Sequence, residues 1–291
     1  MTELVLRDAA HAVDTIDDLD EAEVFASGTV ELFRPLGLPP APVVSPREVL
    51  TAARRASDTA AAVMAEVMAI YGPFETRVRS RELATELADS GVRLPAVWDR
   101  LGRVEPVRVA MMADVWGDGF SLYVDCVRDG ERIGAGVTIE TIGGVLAGDF
   151  LYGPVIETVE ELAADDEHTW VVDIDWADAR ATVELALDER DQTIDLDEGD
   201  ADPNDDLRAL VEHRFSLLPG GGRPLKEYRD VEEVRDELIA AFLDGAGHAL
   251  RGDAEDIAGT ICDYAGYCDG DPLCWSPSRV QAFLGAWVPA K

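Results

Sequence analysis

Residues 262–277 read CDYAGYCDGDPLCWSP and gather three of the four cysteines of a 291-residue chain beside three aspartates. Thiolates with an imidazole are what zinc prefers, and Cys262, Cys268, Cys274 and His248 would make a set of four. The spacing argues against it. Structural zinc takes cysteines roughly two to four residues apart, whereas five residues separate each pair here. On one helix Cys262 and Cys268 would point about 120° apart, so a shared ion requires a break at Gly266. There is no C-x-x-C for thiol exchange. The thiols therefore read as packing groups, with the zinc set as the alternative, and no cofactor is expected. Asp269 and Asp271 flank Gly270 ahead of Pro272. That composition suits a tight turn. The same two carboxylates, placed in a cleft with one pKa raised, would form an acid–base pair.

The histidines are His11, His168, His213 and His248, and neither H-E-x-x-H nor G-x-S-x-G occurs. His213 and Arg214 lie between Leu210-Val211 and Phe215. As a strand, this segment would put His213 beside Val211 with Arg214 opposite, so a partly buried His213 paired to an acid is expected. If the chain is an enzyme, a hydrolase or transferase, its site is assembled from scattered groups such as His213, Arg214, Asp269 and Asp271. LLPGGGRPLKEY offers backbone N–H groups and two cations but lacks the G-K-[ST] of a phosphate loop. It reads as a connector, with anion binding the alternative.

Charge narrows the classes further. The formal net charge is -34, and lysine occurs only at Lys226 and Lys291. Scarce lysine with abundant Asp, Ala, Val and Gly fits a high-GC genome and is compatible with a halophile. An acidic surface keeps a protein in solution and repels phosphates, which disfavours nucleic acid as a partner. One stretch reverses the sign. Arg77, Arg79, Arg81, Arg93, Arg100, Arg103 and Arg108 outnumber the acids Glu82, Glu86, Asp89, Asp99 and Glu105. Two short helices around Gly91, the second opening at Pro95, resemble a helix-turn-helix over residues 80–101. A packed helical hairpin is the plainer reading. DNA-associated regulation and a protein contact face carrying Arg77, Arg79, Arg81, Arg93 and Arg100 are the alternatives.

These residues need a scaffold. Ser45-Pro46-Arg47-Glu48 has the cap, first-turn proline and reciprocal acid of a helix start. Apolar residues from Leu50 to Tyr71 continue at helical spacing until Gly72-Pro73. From about residue 107 the period falls to two. VRVAMMADVW, FSLYVDCV, RIGAGVTIE, VLAGDFLYG and TWVVDIDW read as strands, with turns at GDG, DGE and TIGG. ADARATVELALDE, VEEVRDELIAAFLDGAG, DAEDIAGTICDYAGYC and SPSRVQAFLGAW read as helices. The last is expected to bury Phe283, Leu284 and Trp287, with a Trp287→Ala cost of about 3 kcal/mol or more. The fold class is α+β: a mostly helical region over 1–105, then an α+β domain over 106–291 with a small antiparallel or mixed sheet and a helical C-terminal cover. The start MTELVLRDAAHAVDTIDD lacks a leader pattern and no apolar run is long enough to span a bilayer. A cytoplasmic chain without membrane contact is expected.

DGDPLCWSPSRVQAFLGAWVPAK resembles the C-terminal block, approximately GDPLRWSP then V-x-x-FL-x-x-W-x-P-R-K, of a group of actinobacterial and other high-GC proteins with no assigned activity. AGVTIETIGGVLAGDF, ADARATVELAL and LVEHRFSLLPGGGRP are similar to further pieces of that group, so the resemblance covers residues 134–291. Cys274 stands where the group has arginine, and Ala290 replaces the arginine of its closing P-R-K. The resemblance implies an architecture and no catalytic residue. Together with the missing catalytic signatures, it leads to a non-enzymatic protein–protein interaction module. Its partner is expected to be basic or tolerant of an acidic surface.

Overall fold

The computed structural model describes residues 1–34, 44–115, 119–140, 150–193, 205–225, 231–245, 254–267 and 277–288. The chain is α+β. Five helices come first: α1 (Thr2–Thr15), α2 (Leu19–Glu31), α3 (Pro46–Ala56), α4 (Thr59–Ile70) and α5 (Phe74–Asp89). The single helix expected over 45–71 is two. Ser57 takes a left-handed conformation at φ 49°, and the Asp58 carboxylate accepts a 2.9 Å bond from the Ala61 backbone N–H. An aspartate with a free backbone N–H three residues on is a strong helix start, so the chain stops one helix and begins another. Helix α4 is buried nearly all round, from Ala60 to Ala69 apart from Glu66. Its alanines let α1, α3 and α5 approach closely.

Three strands follow as a meander: β1 (Glu105–Asp114), β2 (Gly119–Arg128) and β3 (Glu131–Glu140). Asp129 and Gly130, both at positive φ, close the β2–β3 hairpin, as the Asp-Gly pair in the DGE turn requires. β4 (Phe150–Tyr152) pairs with β3, and β5 (Thr169–Asp173) pairs with β1, giving the fully antiparallel order β4-β3-β2-β1-β5.

Alternation then splits the sheet's residues. Leu122, Val124 and Cys126 of β2 face the helices, while Ala110 and Tyr123 pack against Val155, Ile156 and Val159 of the segment that opens α6 (Ile156–Ala164). Tyr123 needs a neighbour without a side chain. A methyl on Gly136, its partner on β3, would sit 2.6 Å from the Tyr123 ring.

Helices α7 (Trp176–Thr193) and α8 (Arg208–Ser216) complete this core. It runs without interruption from Val5 to Leu218, so the helical 1–105 region and the sheet share one apolar interior. The segment expected as a strand around His213 is helical. On α7, Ala179, Val183 and Ala186 are buried as their spacing predicts, whereas Leu185 faces out and Leu187 replaces it.

The second helix expected after Pro95 is only a 3-10 turn, Trp98–Arg100, so the helix-turn-helix pattern has no recognition helix. Trp98 explains why: it is 0% exposed and meets the Phe25 ring edge-on at 5.8 Å. Burying that one indole outweighs extending a helix across the surface.

The C-terminal helices are α9 (Val231–Gly245), α10 (Ala254–Tyr267) and α11 (Pro277–Ala282), which runs on as a π-helical turn to Trp287. Cys262 and Ala265 pack against Leu238 and Ile239. Phe283 and Trp287 lie against the Tyr264 ring at 5.2 and 5.7 Å. None of the three residues expected to be buried is so: Phe283 and Trp287 are half-buried, and Leu284 is 60% exposed and does not join them. No described helix is long and apolar enough to cross a membrane.

Candidate interaction surface

The polar groups nearest the core are tied to one another. On α2 the apolar stripe Leu19, Ala22, Ala26 and Val30 is interrupted by Glu23 and Ser27, both fully buried. Glu23 accepts bonds from Arg128 Nη1 on β2 at 2.9 Å and from Arg214 Nη2 on α8 at 2.6 Å. The Tyr71 hydroxyl at the end of α4 donates to its other oxygen at 3.3 Å. Asp20, one turn earlier, also pairs with Arg128. Ser27 accepts the Leu210 N–H at 3.0 Å. This cluster fastens α2, α4, α8 and the sheet together, and Glu23 and Arg214 are closed to solvent.

The catalytic candidates fall apart accordingly. Arg214 serves Glu23. His213 is not paired to an acid: its Nε2 lies 3.2 Å from the Gly102 carbonyl oxygen, and its ring meets Tyr71 edge-on at 5.2 Å. Burial pushes its pKa down to about 4, against a weaker upward pull from Gly102. An imidazole that stays neutral until pH falls that far is poorly placed for proton transfer near pH 7. Asp269 and Asp271 lie outside the described residues, as do Cys268, Cys274 and His248. Cys262 is buried among apolar side chains. Burial pushes the Cys126 thiol up to about 11, despite nearby Arg214, which makes it a packing group. Among the described residues no cluster of His, Cys, Asp and Glu could hold a metal.

The PGGG connector is built for closeness. The Arg223 N–H donates to Asp178 at 2.8 Å and the Leu225 N–H to Thr182 at 2.8 Å. A methyl on Gly222 would lie 2.1 Å from the Ala177 backbone. Those two donors are spent on α7, so they are not available to cradle an anion.

The arginine-rich stretch divides into two sets. Arg77 donates to the Gly72 carbonyl at 2.7 Å, Arg100 pairs with Asp129, Arg103 with Asp99 at 3.1 Å, and Arg108 reaches Glu160 at 2.6 Å and Asp173 at 2.8 Å. Arg79, Arg81 and Arg93 are exposed and make no salt bridge among the described residues, although Arg81 lies near enough to Glu66 to feel its charge. Helix α5 carries the first two. Its inner face buries Thr76, Ser80, Leu83 and Leu87. On the opposite side, Phe74 is 85% exposed and Val78, one turn on, 61%. Leu83 lies nine residues beyond Phe74, half a turn round the axis, so these two apolar residues cannot reach the core.

Beside that stripe, α3 and α5 leave a groove of about 310 Å³ lined by Arg47, Leu50, Thr51, Arg54, Arg79, Glu82 and Leu83. A second cavity of about 270 Å³ lies at the other end of α5, lined by residues that include Phe33, Arg34, Tyr71 and Glu212. There Arg34 is bound by Glu31 at 2.9 Å and Glu212 at 2.5 Å.

Sequence reasoning reached Arg77, Arg79, Arg81, Arg93 and Arg100 but missed Phe74, Val78 and Glu23. Each had a signal: two apolar residues four apart on the face opposite Leu83 and Leu87, and an acid within an apolar helical stripe.

Comparison with protein-family models, with curated proteins and with solved structures gives no match to this chain.

Proposed function

We propose that this chain is a non-enzymatic, cytoplasmic protein–protein interaction module that docks a partner through the outer face of α5. The observation that carries this reading is Phe74 and Val78 standing side by side in solvent, with Arg79 and Arg81 flanking them and making no salt bridge among the described residues. Aromatic and apolar side chains bordered by arginine are the composition of interface hot spots. Apolar groups that stand together in solvent, rather than singly, mark interaction sites. Tyr71, three residues before Phe74, is held by the buried Glu23 at the end of α4, where the chain turns into α5. Membership of the high-GC group that residues 134–291 resemble is part of this proposal and adds no catalytic residue to it.

The test compares wild type with the Phe74→Asp/Val78→Asp double variant in quantitative affinity capture from the source cytosol. Both side chains are exposed, so the variant should keep its thermal midpoint. One protein retained stoichiometrically by wild type and lost from the variant is expected. Identical captured sets from both forms would refute the assignment of α5.

A further inference from the structure

The groove next to the apolar stripe says what the partner brings. We infer that it receives an acidic side chain of the docking protein, its carboxylate held between Arg47 of α3 and Arg79 of α5. This rests on the reading of α5 as a docking face.

Arg47 and Arg79 line the groove from opposite helices. Neither has an acid partner among the described residues. Several described arginines, Arg93 among them, likewise make no ion pair; what marks Arg47 and Arg79 is that both border one groove. Arg54 is different. Glu86 holds it through two bonds of 2.9 and 3.2 Å, which fixes the wall but spends its charge. The Thr51 hydroxyl is likewise spent, donating to the Arg47 carbonyl at 2.8 Å. What the groove still offers is therefore two guanidinium forks, whose planar donors match a carboxylate.

Glu82 decides between occupants. A carboxylate in the groove wall repels a bare polyanion but accepts the backbone N–H of a peptide. Buried Leu50 and Leu83 supply an apolar floor. Arg79 and Glu82 follow Val78 on α5 within about one helical turn, so one short segment can lay an aliphatic residue on Phe74–Val78 and the adjacent acid in the groove. The chain's net charge does not forbid this. At about 0.15 M ionic strength, charges more than about 8 Å away are largely screened, and the groove's own cations act at contact.

The experiment uses the full chain at about 0.15 M ionic strength and two short acetylated peptides, one repeating Leu-Glu-Ser and one repeating Leu-Gln-Ser. Binding is read by calorimetry. Wild type is expected to prefer the glutamate peptide by about tenfold. Arg47→Gln/Arg79→Gln is expected to abolish that preference. Phe74→Ser/Val78→Ser is expected to weaken both peptides equally. Equal binding of the two peptides by wild type, still weakened by Phe74→Ser/Val78→Ser, would overturn the acid site and leave the docking face standing. Binding unaffected by Phe74→Ser/Val78→Ser would overturn the docking face itself. No binding of either peptide at about 1 mM would overturn the inference.

Discussion

Arg214 donates a 2.6 Å hydrogen bond to Glu23, and both side chains are 0% exposed. The pair joins α8 to α2 across the centre of the molecule. Glu23 is shared with Arg128, while Arg214 Nε and Nη1 have no other partner among the described residues. The two ends are therefore unequal. Glu23→Ala strands Arg214 in a sealed site and should cost about 3–5 kcal/mol. Arg214→Met leaves Glu23 with Arg128 and should cost clearly less. Urea unfolding of both variants checks the order, and a reversal would mean that Arg214 holds α8 by packing more than by charge.

His213 makes stability depend on pH. Its pKa is lowered by burial from an ordinary 6.5 to about 4, so below pH 6.5 the unfolded chain takes up a proton that the folded chain refuses. The stabilisation is complete above pH 6.5 and is lost as pH falls towards 4. By pH 5 the loss reaches about 2 kcal/mol. His213→Gln, which keeps a donor for Gly102, should flatten the profile between pH 6.5 and 5. Equal slopes for both proteins in that window would show that the imidazole is free to protonate in the fold.

Gly136 lies under the Tyr123 ring, with room for a hydrogen and none for a methyl. Gly136→Ala should force the ring aside and cost about 1–3 kcal/mol. In Tyr123→Leu, where no ring lies over the site, the same change should cost less. Additive losses in the double variant would place the strain elsewhere.

The two tryptophans should behave differently. Trp98 is fully buried in the main core, and Trp98→Ala should lower stability by about 3–5 kcal/mol. Trp287 packs on Tyr264 beside an exposed Leu284, so Trp287→Ala should fall short of the 3 kcal/mol that its apolar stripe suggests. Thermal melts of the two variants settle the order.

The Asp58 cap on α4 should contribute about 1 kcal/mol. Asp58→Ala would lose it and Asp58→Asn would keep most of it. A neutral Asp58→Ala would mean that α4 is positioned by burial alone.

Local rules carried the reading a long way. The five strand segments, the Asp-Gly hairpin and most of the apolar face of α7 are written in period, turn chemistry and caps, which act over a few residues and so can be read from a line of letters; on α10 Tyr264 is buried as its spacing predicts but Ile257 is exposed. The same rules failed where distant groups outvoted local ones. Residues after Pro95 form only a 3-10 turn because Trp98 is drawn beneath Phe25. His213 lies on a helix because α8 must present Arg214 to Glu23, 191 residues away. The cluster of arginines around α5 was legible as a reversal of sign. Which of them are spent and which are free was decided only by folding, because an ion pair depends on what lies within a few ångströms and not on what lies nearby in the chain.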